Sequence, residues 1–240
     1  VVELFRARRK LGAEVERQRD QLLLQAQQLA EMGMGMVEAL STAIEFRSDE
    51  SGEHVRRIHD ITCHLLRTTS LGEGLSEEEI KLIGVGAITH DVGKISIPDA
   101  ILNKRGRLTP EEYELMKTHA EKGAELLSQI PQMREHAAYR YAYDIALHHH
   151  ERWDGGGYPH HLVGNQTPIW TQIVSLADVY DALVSKRCYK DALSAQQAVE
   201  MISNGQCGAF NPELLHCFRQ AEPVLRRFYR PMEEKQHGGG

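Results

Sequence analysis

The sequence predicts an all-α protein, and three observations carry that expectation. Helix starts are written out repeatedly in capping chemistry. Apolar residues recur at helical spacing along the N-terminal stretch. No segment shows the apolar–polar alternation, bounded by turn residues, that marks a strand.

The first forty residues read as one long helix. Leu4, Arg8, Leu11, Val15, Gln18, Leu22, Gln25, Leu29, Met32 and Met36 follow a 4/3 alternation and share one seam. Most are apolar, which suits a coiled coil. Arg8, Gln18 and Gln25 weaken the seam and leave open a solvated linker helix that packs on its own domain. From Glu38 onward one helix follows another. Ser76 with Glu79 forms a capping box, and Thr109-Pro110-Glu111-Glu112 repeats the signal with Pro at the first helical position. Ser194 with Gln197, and Asn211-Pro212, open two further helices. Two long loops interrupt the pattern, Lys94 to Leu108 and the Gly-rich Trp153 to Pro168. Loops of that length inside a domain carry function or are disordered. The tail Gln236–Gly240 is expected to be unstructured.

Composition narrows the function classes. Of 240 residues, 41% are hydrophobic and 26% charged, the balance of a chain with a real core. A net charge of −6 argues against broad nucleic-acid binding, and no DNA partner is expected. No apolar run approaches the roughly 20 residues of a membrane span, and the N-terminus lacks the apolar core of a signal peptide. Four cysteines without a CxxC pair support neither a disulfide framework nor a zinc finger, so the cytoplasm is the expected compartment. The chain begins at Val1, and we expect it to be part of something longer.

The 13 histidines are the unusual feature. Glu50 and His54 lie four apart and would share one helix face. His90-Asp91 follows an apolar stretch and precedes Val92-Gly93-Lys94; His119 lies in the helix opened by Thr109. His148, His149 and His150 run into Glu151, and Asp178 and Asp181 are three apart in IVSLADVYDALVS. Imidazoles mixed with carboxylates, without thiolates, suit iron, manganese, zinc or nickel rather than structural zinc. Each piece has an ordinary alternative as a surface or core polar group. A second pair, His59-Asp60, lacks the following Gly-Lys and reads as a helix-surface pair. The weight lies in all the pieces occurring in one chain.

The motifs HDVGKISIPDAIL, LTPEEYELMKTH, HHERWDGGGYP and ADVYDALVSKRCYK together resemble the HD-GYP family, a branch of the HD-domain metal-dependent phosphohydrolases. The resemblance runs from about Glu38 to Phe218. It implies an HD-domain helical bundle over 38–232, a linker or coiled-coil helix over 1–37, and a disordered tail over 233–240. It also implies hydrolysis of the bacterial second messenger cyclic di-GMP, with either linear pGpG or GMP as the end product, by a metal-bridging hydroxide at a centre of two or three divalent metals, most often Fe or Mn. The implied metal ligands are Glu50, His54, His90, Asp91, His119, His149, His150 and Asp178. Asp91 and Lys94 are the implied catalytic residues, with Arg187, Lys190, Tyr158 and Asp181 at the substrate. Other readings remain: a preference for 3′,3′-cyclic GMP-AMP, or a silent domain that binds nucleotide or a partner protein.

Several positions depart from the family pattern. His161 stands for Gly, Arg105 for Pro, Gln172 for Arg, and Val184 and Cys188 for Thr and Pro. None removes an implied ligand. The seam from Leu4 to Met36 leads us to expect a homodimer through parallel helices that relay a signal from an upstream sensory or receiver domain. Sedimentation should show a dimer that reverts to monomer when the first thirty residues are deleted. A monomer at high concentration, unchanged by the deletion, would refute that expectation.

Overall fold

The computed structural model describes residues 2–48, 52–185 and 192–229, and every described regular element is helical. Two compact units divide at Ala39/Leu40. The first is the N-terminal part of helix α1, which runs Val2–Phe46. Its Leu11, Val15, Leu22, Leu29, Met32 and Met36 are all more than half exposed, so the seam covers none of them within this unit.

The second unit holds the remaining helices: α2 Gly52–Thr68, α3 Glu77–Ile88, α4 Asp99–Leu102, α5 Pro110–Gln129, α6 Pro131–Glu135, α7 Tyr139–His148, α8 Ile169–Val184, α9 Ala195–Ser203 and α10 Pro212–Leu225. The expected caps are formed. Ser76 accepts from the Glu79 amide while Glu79 reaches back, and Thr109 with Glu112 and Ser194 with Gln197 do the same. Asn211 accepts from the Glu213 amide at the start of α10. Each cap satisfies backbone donors that a helix start leaves without a partner.

α8 is the central element. Ile173, Val174, Leu176, Ala177 and Tyr180 are fully buried, as in a helix apolar on most of its surface. It packs against α2, α7 and α9; α2 also packs on α3, and α7 on α3 and α5. The core between them gathers Ile58, Ile61, Leu65, Ile83, Ile145, Tyr180 and Phe218. No helix among the described residues is long and apolar enough to cross a membrane.

Two glycines allow approaches that shape the site. A Cβ on Gly93 would stand 1.9 Å from the His119 carbonyl oxygen and 2.5 Å from the Gly123 nitrogen. Only glycine therefore lets the short 3₁₀ turn Val92–Ser96 lie directly on α5. A Cβ on Gly157 would lie 2.4 Å from the Arg152 nitrogen, so the loop after α7 folds tightly onto its own start. That loop also contains His161 at φ +55°, a left-handed conformation that a residue with a Cβ adopts at about 1 kcal/mol cost. The glycine of the family pattern would adopt it without strain. The expected tail at 233–240 lies outside the described residues.

Candidate metal centre

Five histidines and Asp91 come together from four stretches of chain. His54 lies in the first turn of α2, and His90 and Asp91 lie in the turn between α3 and the 3₁₀ segment. His119 sits midway along α5, and His149 and His150 follow the end of α7. Asp91 is the common partner. Its Oδ1 is 3.2 Å from His119 Nε2 and 3.5 Å from His149 Nε2. Its Oδ2 is 3.2 Å from His90 Nε2 and 2.8 Å from Lys94 Nζ. Two sets of four donors result, each drawn within 4.8 Å and sharing Asp91: Asp91, His119, His149 and His150, and Glu45, His54, His90 and Asp91.

The imidazoles are aimed by their second nitrogens. His90 Nδ1 lies 2.9 Å from the Ala87 carbonyl, His119 Nδ1 2.7 Å from that of Met116, and His149 Nδ1 3.0 Å from that of Ile145. A carbonyl can only accept, so each Nδ1 carries the proton and donates it. In each case it is Nε2 that faces the cluster, with a lone pair to offer wherever the ring is neutral, the form that burial favours at His149. His54 is held likewise, with Nδ1 donating to Asp181 Oδ2 at 2.8 Å. A ligating histidine needs such an anchored second nitrogen.

Burial and charge fit a divalent cation. Burial opposes charging His90, yet the adjacent Asp91 carboxylate lifts its pKa to about 10. Burial would also raise Asp91, but Lys94 and His90 hold it well below the usual carboxylate range. Burial, followed by neighbouring imidazoles, holds His150 well below the usual histidine value. Buried His90 Nε2 and Asp91 Oδ1 form no hydrogen bond among the described residues. His119 Nε2 approaches His150 Nε2 to 3.1 Å and His149 Nε2 to 3.4 Å. Converging imidazoles around a buried carboxylate, with no thiolate, suit metals that accept N and O donors.

The other expected site residues fall in distinct places. Asp178 Oδ1 is 3.8 Å from His54 Nε2, outside both tight donor sets. Tyr158 stacks on His150 with ring centroids 4.7 Å apart, and Lys117 Nζ lies 5.7 Å from its ring centre. Glu50, Arg187 and Lys190 lie outside the described residues. Asp181, expected at the substrate, is 1% exposed, with its oxygens engaged by His54 and by Arg57 Nε and Nη2. It stands behind His54 and orients that ring, because Arg57 draws its carboxylate inward.

Two acids escaped the sequence reading. Glu45 ends α1 within one donor set. Glu151 accepts from the backbone amides of His160 and Leu162 and so pins the 153–168 loop. Glu151 was named in the sequence at the end of the histidine run but given no role; Glu45 belongs to none of the quoted motifs. Gln172, a departure from the family pattern, anchors the far end of the same loop. It donates to the Thr167 carbonyl and accepts from Asn211. The second His-Asp pair, His59-Asp60, stands partly exposed on α2.

The family described as “HD domain” matches residues 38–214. A “3′3′-cGAMP-specific phosphodiesterase 2” of Vibrio cholerae is 39% identical over 78% of this chain and 34% of its own length. A “Cyclic di-GMP phosphodiesterase” of Thermotoga maritima is 36% identical over 85% of this chain and 54% of its own. The response regulator RpfG of Xanthomonas campestris, likewise named a cyclic di-GMP phosphodiesterase, is 36% identical over 86% and 54%. The chain thus spans about a third to just over half of these relatives. Among solved structures, a cyclic GMP-AMP specific phosphodiesterase of V. cholerae shares the fold at TM-score 0.59 and 18% identity, over 85% of this chain and 52% of that one. The Bd1817 protein of Bdellovibrio bacteriovorus, described as an HDG“Y”P protein, does so at 0.55 and 16%, over 79% and 62%.

The Asp181 contacts give a direct test. Asp181→Asn leaves Arg57 without its buried counter-charge and weakens the anchor of His54. Thermal unfolding should show a loss of up to about 3–5 kcal/mol. Chelator competition should show Mn²⁺ affinity reduced roughly 10–100-fold. A folded variant with unchanged affinity would remove Asp181 from the support of the centre.

Proposed function

The chain belongs to the HD domain family, in its HD-GYP branch, and from that premise we propose that it is a phosphodiesterase that opens cyclic di-GMP to linear pGpG and takes the product on to GMP. The observation that carries the proposal is the pair of donor sets sharing buried Asp91, with Lys94 against the same carboxylate. His119, His149, His150 and Asp91 would hold one cation; His54, His90 and Asp91, with Asp178 nearby, would hold another. Mixed imidazole and carboxylate donors suit several divalent metals, and the family resemblance points among them to Fe or Mn. Bound divalent cations supply Lewis acidity and lower the pKa of water towards neutrality.

The protein's own groups supply position and charge. Asp91 fixes the spacing of the two donor sets by engaging both with one carboxylate. Lys94 brings a cation to the edge of the site, where it offsets charge growing on the phosphoryl oxygens. Arg187 binds phosphate in a planar fork, and Lys190 acts as a point charge beside it. Tyr158 supplies an aromatic edge at the mouth of the site, in the loop held by Glu151, where an unpaired guanine is bound. The likeness to a 3′3′-cGAMP-specific relative favours 3′,3′-cyclic GMP-AMP as a second substrate to be assayed beside cyclic di-GMP.

An anaerobic assay that resolves linear dinucleotide from mononucleotide tests the reading. Asp91→Ala should reduce hydrolysis below about one thousandth of the wild-type rate, because it removes the group common to both donor sets. Near-normal turnover with a full metal complement would overturn the assignment.

Nuclearity is set by Glu50. Its carboxylate adds negative charge beyond Asp91 and Asp178, so we assign it a third, weakly held cation. Anaerobic metal counting should fall from three towards two in Glu50→Ala. An unchanged count with reduced activity would instead make Glu50 a group that orients His54.

A further inference from the structure

The proposed reaction gives Lys94 a role at the scissile phosphate, but the sequence does not show what holds that lysine in place. Its ammonium lies between two buried carboxylates: Asp91 Oδ2 at 2.8 Å, and Glu45 Oε2 at 3.2 Å. Glu45 is 2% exposed and is itself fixed by the Ser48 hydroxyl, which donates to Glu45 Oε2 at 3.2 Å and to the Glu45 carbonyl at 2.9 Å. The two acids, approaching from different stretches of chain, fix where the ammonium sits.

The backbone that carries Lys94 is held from the same stretch of chain. Arg47 Nη1 donates to the carbonyls of Lys94 at 3.4 Å and Ile95 at 3.1 Å. Its Nη2 donates to the Ile97 carbonyl at 3.2 Å and to Asp99 Oδ1 at 2.7 Å. These carbonyls lie at and just beyond the end of the 3₁₀ turn Val92–Ser96, and that of Lys94 also accepts from the Ile97 amide. A planar guanidinium can reach several of them at once, which a lysine ammonium cannot match in geometry. Residues 45 and 47 would point to different sides of a continuing helix. α1 ends at Phe46, so Arg47 can turn towards the segment that Glu45 also touches.

We infer that Glu45 and Arg47 are positioning residues for Lys94: Glu45 fixes its ammonium beside Asp91, and Arg47 locks the backbone of the turn that carries it. This rests on the proposed role of Lys94 in hydrolysis, yet its structural content can be read without turnover. Glu45 lies within reach of His54, His90 and Asp91 and could be taken for a metal ligand. Its contact with Lys94 at 3.2 Å gives it a partner outside that donor set, and metal counting separates the two roles.

The experiment uses the full chain with Glu45→Gln, Arg47→Ala, Arg47→Lys and Lys94→Ala. Anaerobic metal content should be unchanged in every variant; a cation lost in Glu45→Gln alone would overturn the assignment and make Glu45 a ligand. Hydrogen exchange at the Lys94 and Ile97 amides, which close the turn onto Asp91 and Lys94 carbonyls, should rise about tenfold or more in Arg47→Ala. Arg47→Lys should rescue little of that protection. Acetylation of the Lys94 amine should be slow in the wild type and several-fold faster in Glu45→Gln. Unchanged exchange and unchanged labelling would overturn the inference whether or not the protein hydrolyses a cyclic dinucleotide.

Turnover supplies the final arm. Glu45→Gln and Arg47→Ala should each lower kcat about tenfold with little change in KM, and each should cost almost nothing further in the Lys94→Ala background. Full additivity with Lys94→Ala would overturn the inference. Absence of hydrolysis in the wild type would sink the proposed function while leaving the exchange and labelling results to decide the positioning.

Discussion

The shared carboxylate of Asp91 is the contact on which the site is built. One buried side chain meets His90 and Lys94 through one oxygen and His119 and His149 through the other. An isolated carboxylate at that depth would be driven towards its neutral form, so its charge persists only while cationic and imidazole partners surround it. The same charge raises His90 while burial keeps His149 and His150 down.

The fold delivers these side chains by anchoring them at the ends and along the faces of packed helices. α3 and α7 finish beside one another, so His90, Asp91, His149 and His150 emerge where backbone carbonyls can take the Nδ1 protons. α5 brings His119 alongside because Gly93 permits direct contact between the 3₁₀ turn and the helix. A substituent there would separate the two by more than the contact distances of Asp91 allow.

Around that centre a ring of charged groups fixes the ligands rather than meeting solvent. Asp181 ties His54 to Arg57, Glu45 and Arg47 hold the lysine segment, and Glu151 gathers the loop that carries Tyr158. Each buried acid sits among donors that compensate its desolvation, the condition under which such groups are tolerated in a protein interior. The loop after α7 is therefore pinned at both ends, by Glu151 and by Gln172, although its sequence is rich in glycine. The departure at His161 falls within this pinned stretch, where backbone conformation is set by the surrounding hydrogen bonds.

By itself the sequence determined the helical class, because capping pairs such as Ser76/Glu79 and Thr109/Glu112 are local chemistry that needs no distant partner. The resemblance carried by the motifs also implied His54, His90, Asp91, His119, His149 and His150 as donors, and the structure brings these side chains together. Only the tertiary structure decided how the polar groups divide between the centre and its support. Asp178 and Asp181 are three residues apart on one helix, yet the first lies near His54 Nε2 and the second behind the same ring at Nδ1. Glu45 and Arg47 acquire their partners at Lys94 and beyond through contacts almost fifty residues away in the chain. Helical periodicity assigns a residue to a face, but the identity of what that face meets is fixed by long-range packing, and it is this packing that separates a ligand from the group that holds it.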